Sequence, residues 1–248
     1  MAVWEDVQLT CPLCLTPFAS RVVTQANAIG QDTDGRLHFQ DVDPLPTFIH
    51  TCPTCKFTAS RRAFQVRLES EEIFRARAFL EGMATPETAY ERYALMAQVM
   101  DQYRKDEPIF PGNAWLTASW CARQEGRRED EHEAQRRAIR WLDENLRLKL
   151  AQREERTYLT YLIGELHRRV SEWSQAREYF NAVPGIADLG SKEEKFLVTL
   201  SVLQKRYAFD RCHVNTLIPA EFIRRGFFLR HFRSRLDQGT HRVEVSAI

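Results

Sequence analysis

Four of the six cysteines occur in two short pairs, and this spacing constrains the fold more than any other feature of the sequence. The pairs are Cys11-Pro12-Leu13-Cys14 and Cys52-Pro53-Thr54-Cys55. Two residues between thiols let both sulfurs of a pair point into one tetrahedron, and two such knuckles complete a shell of four thiolates. We therefore predict a metal site with Cys11, Cys14, Cys52 and Cys55 as ligands, zinc as the expected ion and iron as the alternative.

The expected role of this metal is structural. Four thiolates close the coordination sphere and leave no position for a water or a substrate. Such an ion holds together a segment that is too small to fold unaided. His50 could replace one thiolate, but a histidine beside a strand is more often an ordinary side chain.

The remaining aspartates and cysteines near these motifs have plainer interpretations. Aspartates beside glycine or proline commonly cap turns, although four of them between the knuckles could instead form an oxygen-lined cation site, namely Asp32, Asp34, Asp41 and Asp43. Lone cysteines among apolar residues pack as small hydrophobes. This interpretation applies to Cys121 and Cys212.

The segment between the knuckles, residues 15–51, needs structure of its own because it exceeds the length found in the common paired-knuckle zinc site. Two stretches rich in β-branched and aromatic residues, 20–25 and 47–51, are predicted to form short strands. Asp, Gly and Pro predict turns at 31–35 and 41–46. Residues 1–60 are therefore predicted to form a small zinc-ribbon-like β module.

From about residue 60 onward, apolar residues recur every three to four positions instead of every second one, which predicts helices. Thr85-Pro86-Glu87 predicts the start of one helix, and another is expected from near Asn113 to about Gly126. Ser191 to Glu194 is a capping box, and an apolar stripe is expected after it at Phe196, Leu200, Leu203 and Tyr207. About seven helices are expected, so the predicted fold class is mainly α.

One helical segment, Tyr161 to Phe180, indicates how the helices pack. Gly164 and Ala176 lie twelve residues apart and Phe180 follows four residues later, which is the tetratricopeptide layout. Small residues let two antiparallel helices approach closely. We predict a tetratricopeptide-like antiparallel array of about three helix pairs over residues 61–210, with a weaker copy of the pattern around Ala122, Ala134 and Ala138.

Charge separates the two ends of the chain. The whole chain has a net charge of +1, which argues against a surface-wide affinity for nucleic acid or anionic lipid. Residues 1–60 hold three basic and six acidic residues, whereas residues 204–248 hold nine basic and four acidic ones. Aromatic and basic residues alternate in the C-terminal segment, 211–248, most densely from Phe222 to Arg233. This segment could cap the helical stack, contact a membrane surface or a partner, or bind nucleic acid.

The sequence contains no apolar run long enough to span a membrane, and its start lacks the basic region of a secretory signal. We therefore expect a cytoplasmic protein with no transmembrane segment. Hydrophobic residues make up 44% of the chain, which is enough to bury a sizeable core.

Together, these motifs resemble a family of uncharacterised bacterial proteins with an N-terminal zinc-ribbon-like segment followed by tetratricopeptide-like helices. The likeness rests on the paired knuckles, on Asp32-Thr33-Asp34 and Asp43-Pro44, and on Tyr161 to Phe180 with its Gly-Glu-Leu-x-Arg-Arg core. In that family, glycine commonly follows the second cysteine of each knuckle. Here Leu15 and Lys56 follow, and because glycine tolerates the positive φ that a knuckle often needs, some backbone strain is expected at both positions.

The first functional hypothesis is a non-enzymatic zinc-binding scaffold or adaptor that binds a protein partner through its helical array. The chain has no P-loop, dinucleotide-binding, zincin or serine-hydrolase motif. The alternatives are nucleic-acid or membrane-surface binding through the basic C-terminal segment, with nucleic acid the less favoured, and a thiol redox or metal-responsive switch.

Overall fold

The computed structural model describes residues 2–103 and 106–219, and within them the protein is mainly α with small antiparallel sheets at the N-terminus, as predicted. The described strands are β1 (Val3–Thr10), β2 (Pro17–Gln25), β3 (Ala28–Asp32), β4 (Leu37–Phe39), β5 (Ile49–Thr51), β6 (Thr58–Ser60) and β7 (Leu217–Pro219). The described helices are α1 (Ser70–Leu80), α2 (Ala89–Tyr103), α3 (Ile109–Gln124), α4 (Arg128–Arg147), α5 (Arg153–Arg169), α6 (Trp173–Ile186) and α7 (Lys192–Phe209).

Each cysteine pair lies in the turn of an antiparallel hairpin. The first pair joins β1 to β2, in which Leu9 is opposite Phe18, and the second joins β5 to β6, in which Thr51 is opposite Thr58. The strand expected at 20–25 is part of β2. The strand expected at 47–51 begins only at Ile49, because Leu45–Thr47 forms a 3-10 turn with proline in its first positions.

A third hairpin lies between the two knuckles. Strands β3 and β4 flank the turn predicted at 31–35, in which Gly35 has φ +93° and its N–H donates to the carbonyl of Asp32. The short strand β7, after the last helix, pairs with β3, with Gln31 opposite Ile218. We call residues 28–39 the inner hairpin.

Two predicted helix starts are wrong. Helix α2 starts at Ala89, not near Thr85, because Thr88 and Glu91 cap it reciprocally: Thr88 Oγ1 accepts from the Glu91 N–H, and Glu91 Oε2 accepts from the Thr88 N–H, both at 3.2 Å. Helix α3 starts at Ile109, four residues before Asn113, and it ends before Gly126 as predicted.

The buried face of α7 also differs from the predicted stripe. Ser191 caps the helix, as expected, by accepting from the Glu194 N–H at 3.3 Å. However, the Glu194 side chain accepts 2.7 Å hydrogen bonds from Thr157 Oγ1 and the Asp188 N–H, which draws it into the interface with α5. As a result, Leu197 is buried beside Leu200, the one member of the predicted stripe that is buried. The other members, Phe196, Leu203 and Tyr207, are only half-buried.

Two hydrophobic clusters share helix α2. One cluster surrounds the cysteines and includes Leu95 and Val99 of α2. The other fills the helical array and includes Tyr93 and Ala97 of α2 together with Leu37 of the inner hairpin. The segment around the cysteines and the helices thus pack against each other, and the boundaries at residues 60 and 210 stay predictions.

Helices α5 and α6 approach each other at the glycine that the sequence pattern singled out. A Cβ added to Gly164 would lie 3.0 Å from two ring carbons of Phe180 and 3.1 Å from Tyr179 Cβ. Phe180 in turn packs against Tyr161, with ring centroids 5.9 Å apart. The close approach expected between small residues is therefore present, whereas the assignment as a tetratricopeptide repeat stays a prediction.

Replacing Gly164 with alanine is expected to lower the free energy of unfolding by about 1–3 kcal/mol, since the methyl group would force Phe180 or the α6 backbone to shift. Urea unfolding followed by circular dichroism measures this change. Gly185→Ala is the matched control in α6, because a Cβ there meets nothing within 4 Å. Equal stability of the two variants would contradict the close packing.

Most of the predicted C-terminal segment, 211–248, lies outside the described residues, including the basic and aromatic stretch from Phe222 to Arg233. Its proposed roles therefore stay predictions. Of the described helices, none is both long enough and apolar enough to cross a bilayer.

Candidate metal centre

The two knuckles bring four sulfurs together. Cys11 Sγ lies 3.4 Å from Cys55 Sγ, Cys14 Sγ lies 3.5 Å from Cys52 Sγ, and all four atoms lie within 4.8 Å of one another. Zinc–sulfur bonds of about 2.3 Å place tetrahedral sulfurs about 3.8 Å apart. The four cysteines therefore form a potential metal-binding cluster whose size and donor type suit a single ion.

The backbone of each knuckle is wrapped in the same way. The Leu15 N–H donates to the Cys11 carbonyl at 2.9 Å, and the Lys56 N–H donates to the Cys52 carbonyl at 3.0 Å. Leu15 and Lys56 have φ values of 62° and 63°, the left-handed conformation expected after the second cysteine. The strain anticipated from the sequence is thus present at both positions.

Leu15→Gly is expected to raise the free energy of unfolding by about 1 kcal/mol, because glycine adopts positive φ without steric cost. The leucine side chain is 74% exposed, so little packing is lost with it. Leu15→Val, which places a β-branched residue at the same φ, is expected to lower stability. Thermal unfolding of the metal-loaded protein compares the three chains, and a less stable glycine variant would contradict the strain.

The four thiols differ in burial, and the pKa values of Cys11 and Cys55 are shifted in opposite directions. Cys11 and Cys52 are buried, whereas Cys14 and Cys55 are half-buried. The hydrogen bond with Cys55 lowers the pKa of the Cys11 thiol to about 5, and the same bond together with burial raises the pKa of Cys55. One of the four thiols is thus already disposed to ionise, as a metal ligand must.

Two cations lie against the knuckles. Arg77 of α1 donates to the carbonyl of Leu13 inside the first knuckle, and Lys56 of the second knuckle donates to the carbonyl of Met83 after α1. A divalent ion bound by four thiolates would carry a net charge of −2, and these two cations place positive charge on the segments next to it. They also fasten α1 and the segment after it to the cluster.

His50 lies outside the four-cysteine cluster, which agrees with the prediction that it is an ordinary side chain and not a metal ligand. It is buried in β5, and its Nδ1 is 2.7 Å from Ser20 Oγ. Burial and the charges of Arg61 and Arg92 lower its pKa to about 4. His50 is therefore neutral near pH 7 and supports the hairpins rather than the metal.

The two lone cysteines differ. Cys121 is buried in the helical core, as expected. Cys212 is only half-buried and follows α7, so the prediction of a packed thiol is wrong there. Its contribution is its carbonyl, which accepts a 2.7 Å hydrogen bond from Arg168.

The aspartates between the knuckles cap turns, as predicted, but they also form ion pairs with arginines, which the sequence did not indicate. Asp34 Oδ1 accepts from the Arg36 N–H, and Asp43 Oδ1 accepts from the Leu45 N–H. The second oxygen of each carboxylate pairs with an arginine, Asp34 with Arg123 at 2.5 Å and Asp43 with Arg36. Asp41 lies in the bend before Asp43. Among the described residues, no cluster of metal-ligand type includes these aspartates.

Arg123 of α3 holds the inner hairpin to the helices. Its guanidinium donates to Asp32 at 2.8 Å, to Asp34 at 2.5 Å and to Glu131 of α4 at 2.7 Å. Burial alone would raise the pKa of Asp34, but Arg123 and Arg169 hold it well below its ordinary value. Asp34 is therefore ionised although its side chain is fully buried.

A second set of contacts comes from α5. Fully buried Glu165 accepts from Thr33 Oγ1 at 2.7 Å, from Arg168 at 2.7 and 2.8 Å, and from Arg169 at 2.9 Å. Burial opposes ionisation of Glu165, but the two arginines lower its pKa. We call the whole set the buried ion network: Asp32, Thr33, Asp34, Arg123, Glu165, Arg168 and Arg169.

This network joins two of the stretches on which the family resemblance rests. Asp32-Thr33-Asp34 forms the tip of the inner hairpin, and Glu165, Arg168 and Arg169 belong to the Gly-Glu-Leu-x-Arg-Arg core. A model of the family described as "Uncharacterized protein conserved in bacteria (DUF2225)" matches residues 5–199, well over half of the chain. The protein belongs to this family. In this DUF2225 member, the matched region covers the knuckles, the inner hairpin and most of the helical array.

Comparison with the curated proteins and with the solved structures gives no match.

Proposed function

We propose that the protein is a cytoplasmic, non-enzymatic scaffold with one structural zinc, and that its helical array binds a protein partner. The observation that carries the proposal is the convergence of four cysteine sulfurs within 4.8 Å. Four thiolates satisfy a tetrahedral zinc completely, which favours a structural over a catalytic ion.

The metal acts on the helices through the segment between the knuckles. Residues 15–51 start and end at the four-cysteine cluster, and their middle, the inner hairpin, is fixed to α3 and α5 by the buried ion network. A segment whose two ends are held together has less conformational freedom than an open one. It therefore loses less conformational entropy when its middle binds to the helices. Zinc therefore supports the hairpin as well as the knuckles.

The inner hairpin covers one face of the helical array. A Cβ added to Gly35 would lie 2.9 Å from Tyr158 Oη on α5 and 3.6 Å from Trp120 on α3. A partner therefore has to contact a different surface of the array while the metal is bound.

Affinity purification of the tagged full chain from its native bacterium tests the scaffold function. The proposal expects a stoichiometric protein partner and one zinc per chain in the same eluate. An eluate that contains the zinc but no stoichiometric protein would contradict the scaffold role while leaving the metal site intact.

A second function, a thiol redox switch, is favoured by the low pKa of Cys11 and its 3.4 Å distance from Cys55. An ionised thiol beside a second thiol is the arrangement that forms a disulfide on oxidation. Alkylation distinguishes the two functions. Structural zinc is expected to protect all four thiols, whereas a switch would lose two of them reversibly in mild oxidant.

A further inference from the structure

A groove opens at the surface between the start of α6 and the end of α7. It has a volume of 630 Å³, and its walls include Trp173, Ser174, Arg177, Phe209 and Arg211. Within the described part of the chain, none of its lining residues belongs to the inner hairpin, so the hairpin does not cover the groove. We call it the α6–α7 groove.

Aromatic rings form part of its walls. Phe209, the last residue of α7, is 71% exposed. Trp173 is half-buried and makes a T-shaped contact with His213, with the two ring centroids 4.8 Å apart. Burying the exposed apolar surface of a phenylalanine removes it from water and so contributes favourable free energy to binding. A partner that inserts an apolar side chain here would gain that energy.

The charge of the groove is positive. Arg177 lies over the Phe209 ring at 6.0 Å, and Arg211 is exposed; within the described part of the chain, no carboxylate pairs with either. Glu172, the one acidic residue among the described residues that line the groove, is already engaged by His167 at 2.6 Å and Arg136 at 3.4 Å. Two guanidinium groups are thus available beside two aromatic side chains.

We infer that the α6–α7 groove binds an acidic segment of a partner protein, one that places a carboxylate against Arg177 and Arg211 and an apolar side chain against Phe209. The inference rests on the proposed scaffold function and names the surface and partner chemistry. Guanidinium groups bind carboxylates through paired, charge-assisted hydrogen bonds. A nucleic acid fits less well, because the described residues that line the groove include Glu172 and offer no continuous basic track for successive phosphates.

Selection from a displayed random dodecapeptide library against the immobilised, zinc-loaded full chain tests the inference. The selected peptides are expected to be rich in Asp, Glu and aromatic or large aliphatic residues, and to bind less tightly at high salt. Arg177→Gln and Arg211→Gly are each expected to weaken the best peptide by about tenfold. Glycine is used at position 211 because Arg211 has φ 51°.

Arg147→Gln is the matched control, because Arg147 is an exposed arginine at the end of α4 and does not line the groove. Selection of basic peptides, failure to select any peptide, or equal affinity of the groove variants and the control would each overturn the inference. Displacement of the acidic peptide by inorganic phosphate or by a short single-stranded oligonucleotide at equal concentration would also overturn it.

The outcome separates the inference from the function on which it rests. Purification of the Arg177→Gln/Arg211→Gly double variant from the native bacterium is compared with that of the wild-type chain. If both retain the same stoichiometric partner, the scaffold function stands, and the assignment of the α6–α7 groove as the partner-binding site is wrong. If the wild-type chain retains none, the scaffold function itself fails.

Discussion

Cys11→Ser is expected to abolish stoichiometric metal binding and to unfold the segment around the knuckles. A serine hydroxyl is a poor ligand at neutral pH, and the ion would lose one of four donors in a site whose sulfurs otherwise lie within 4.8 Å of one another. Structural zinc contributes on the order of 10 kcal/mol in small zinc domains, so the segment has little stability without it. Helices α3 to α7 should persist, because the hydrophobic cluster that they form contains none of the knuckle residues.

Elemental analysis, far-UV circular dichroism and limited proteolysis of the variant measure these effects. We expect less than stoichiometric metal, nearly unchanged helicity, and rapid cleavage between residues 15 and 51. Cys212→Ser is the control, because that half-buried thiol lies outside the four-cysteine cluster. A Cys11→Ser protein that retained stoichiometric metal and resisted proteolysis would show that the four cysteines are not the ligand set.

Arg123→Met is expected to lower the free energy of unfolding by about 3–5 kcal/mol, because removing one partner leaves buried carboxylates uncompensated. Methionine keeps most of the side-chain volume, so the change acts through charge and hydrogen bonding. Of the two arginines that pair with Asp34, only Arg169 would remain, and its Nε lies 3.5 Å away, in place of the 2.5 Å contact with Arg123.

Asp34→Asn in the Arg123→Met background is expected to recover part of the loss, because the second substitution removes the unpaired charge. The double-mutant cycle isolates the pair. Arg147→Met, at an exposed ion pair on α4, should leave the free energy of unfolding nearly unchanged, because water screens this pair. An Arg123→Met protein as stable as this control would contradict the role of the network.

The pH dependence of Asp34→Asn has a defined sign. The pKa of Asp34 is lowered in the folded state, so its contribution to stability is present above its unfolded pKa of about 4 and is lost as pH falls toward the folded value. The wild-type chain should therefore lose more stability below about pH 4 than Asp34→Asn does. Urea unfolding across acidic pH measures the difference in slope.

Local features of the sequence were sufficient to predict the four-cysteine cluster and the mainly α fold. Knuckle spacing and the twelve-residue step from Gly164 to Ala176 are short-range patterns, and each corresponds to a local geometry in the structure. The positive φ of Leu15 and Lys56 was expected from the family resemblance, because glycine commonly stands at these two positions in that family.

Long-range polar contacts could not be predicted in the same way. Asp34 and Arg123 are separated by 89 residues, and Thr33 and Glu165 by 132. An aspartate beside glycine indicates a turn whether or not an arginine lies opposite it, so the turn was predicted and its burial was missed. The same effect rotated α7, since the buried position of Glu194 depends on Thr157 of another helix.

Native mass spectrometry of the full-length protein, purified without added metal or chelator, tests the central claim most directly. We expect a mass that exceeds the denatured, metal-free mass by one zinc ion, and four thiols that become alkylatable only after denaturation with chelator. A native chain without metal whose four cysteines react freely would contradict the account.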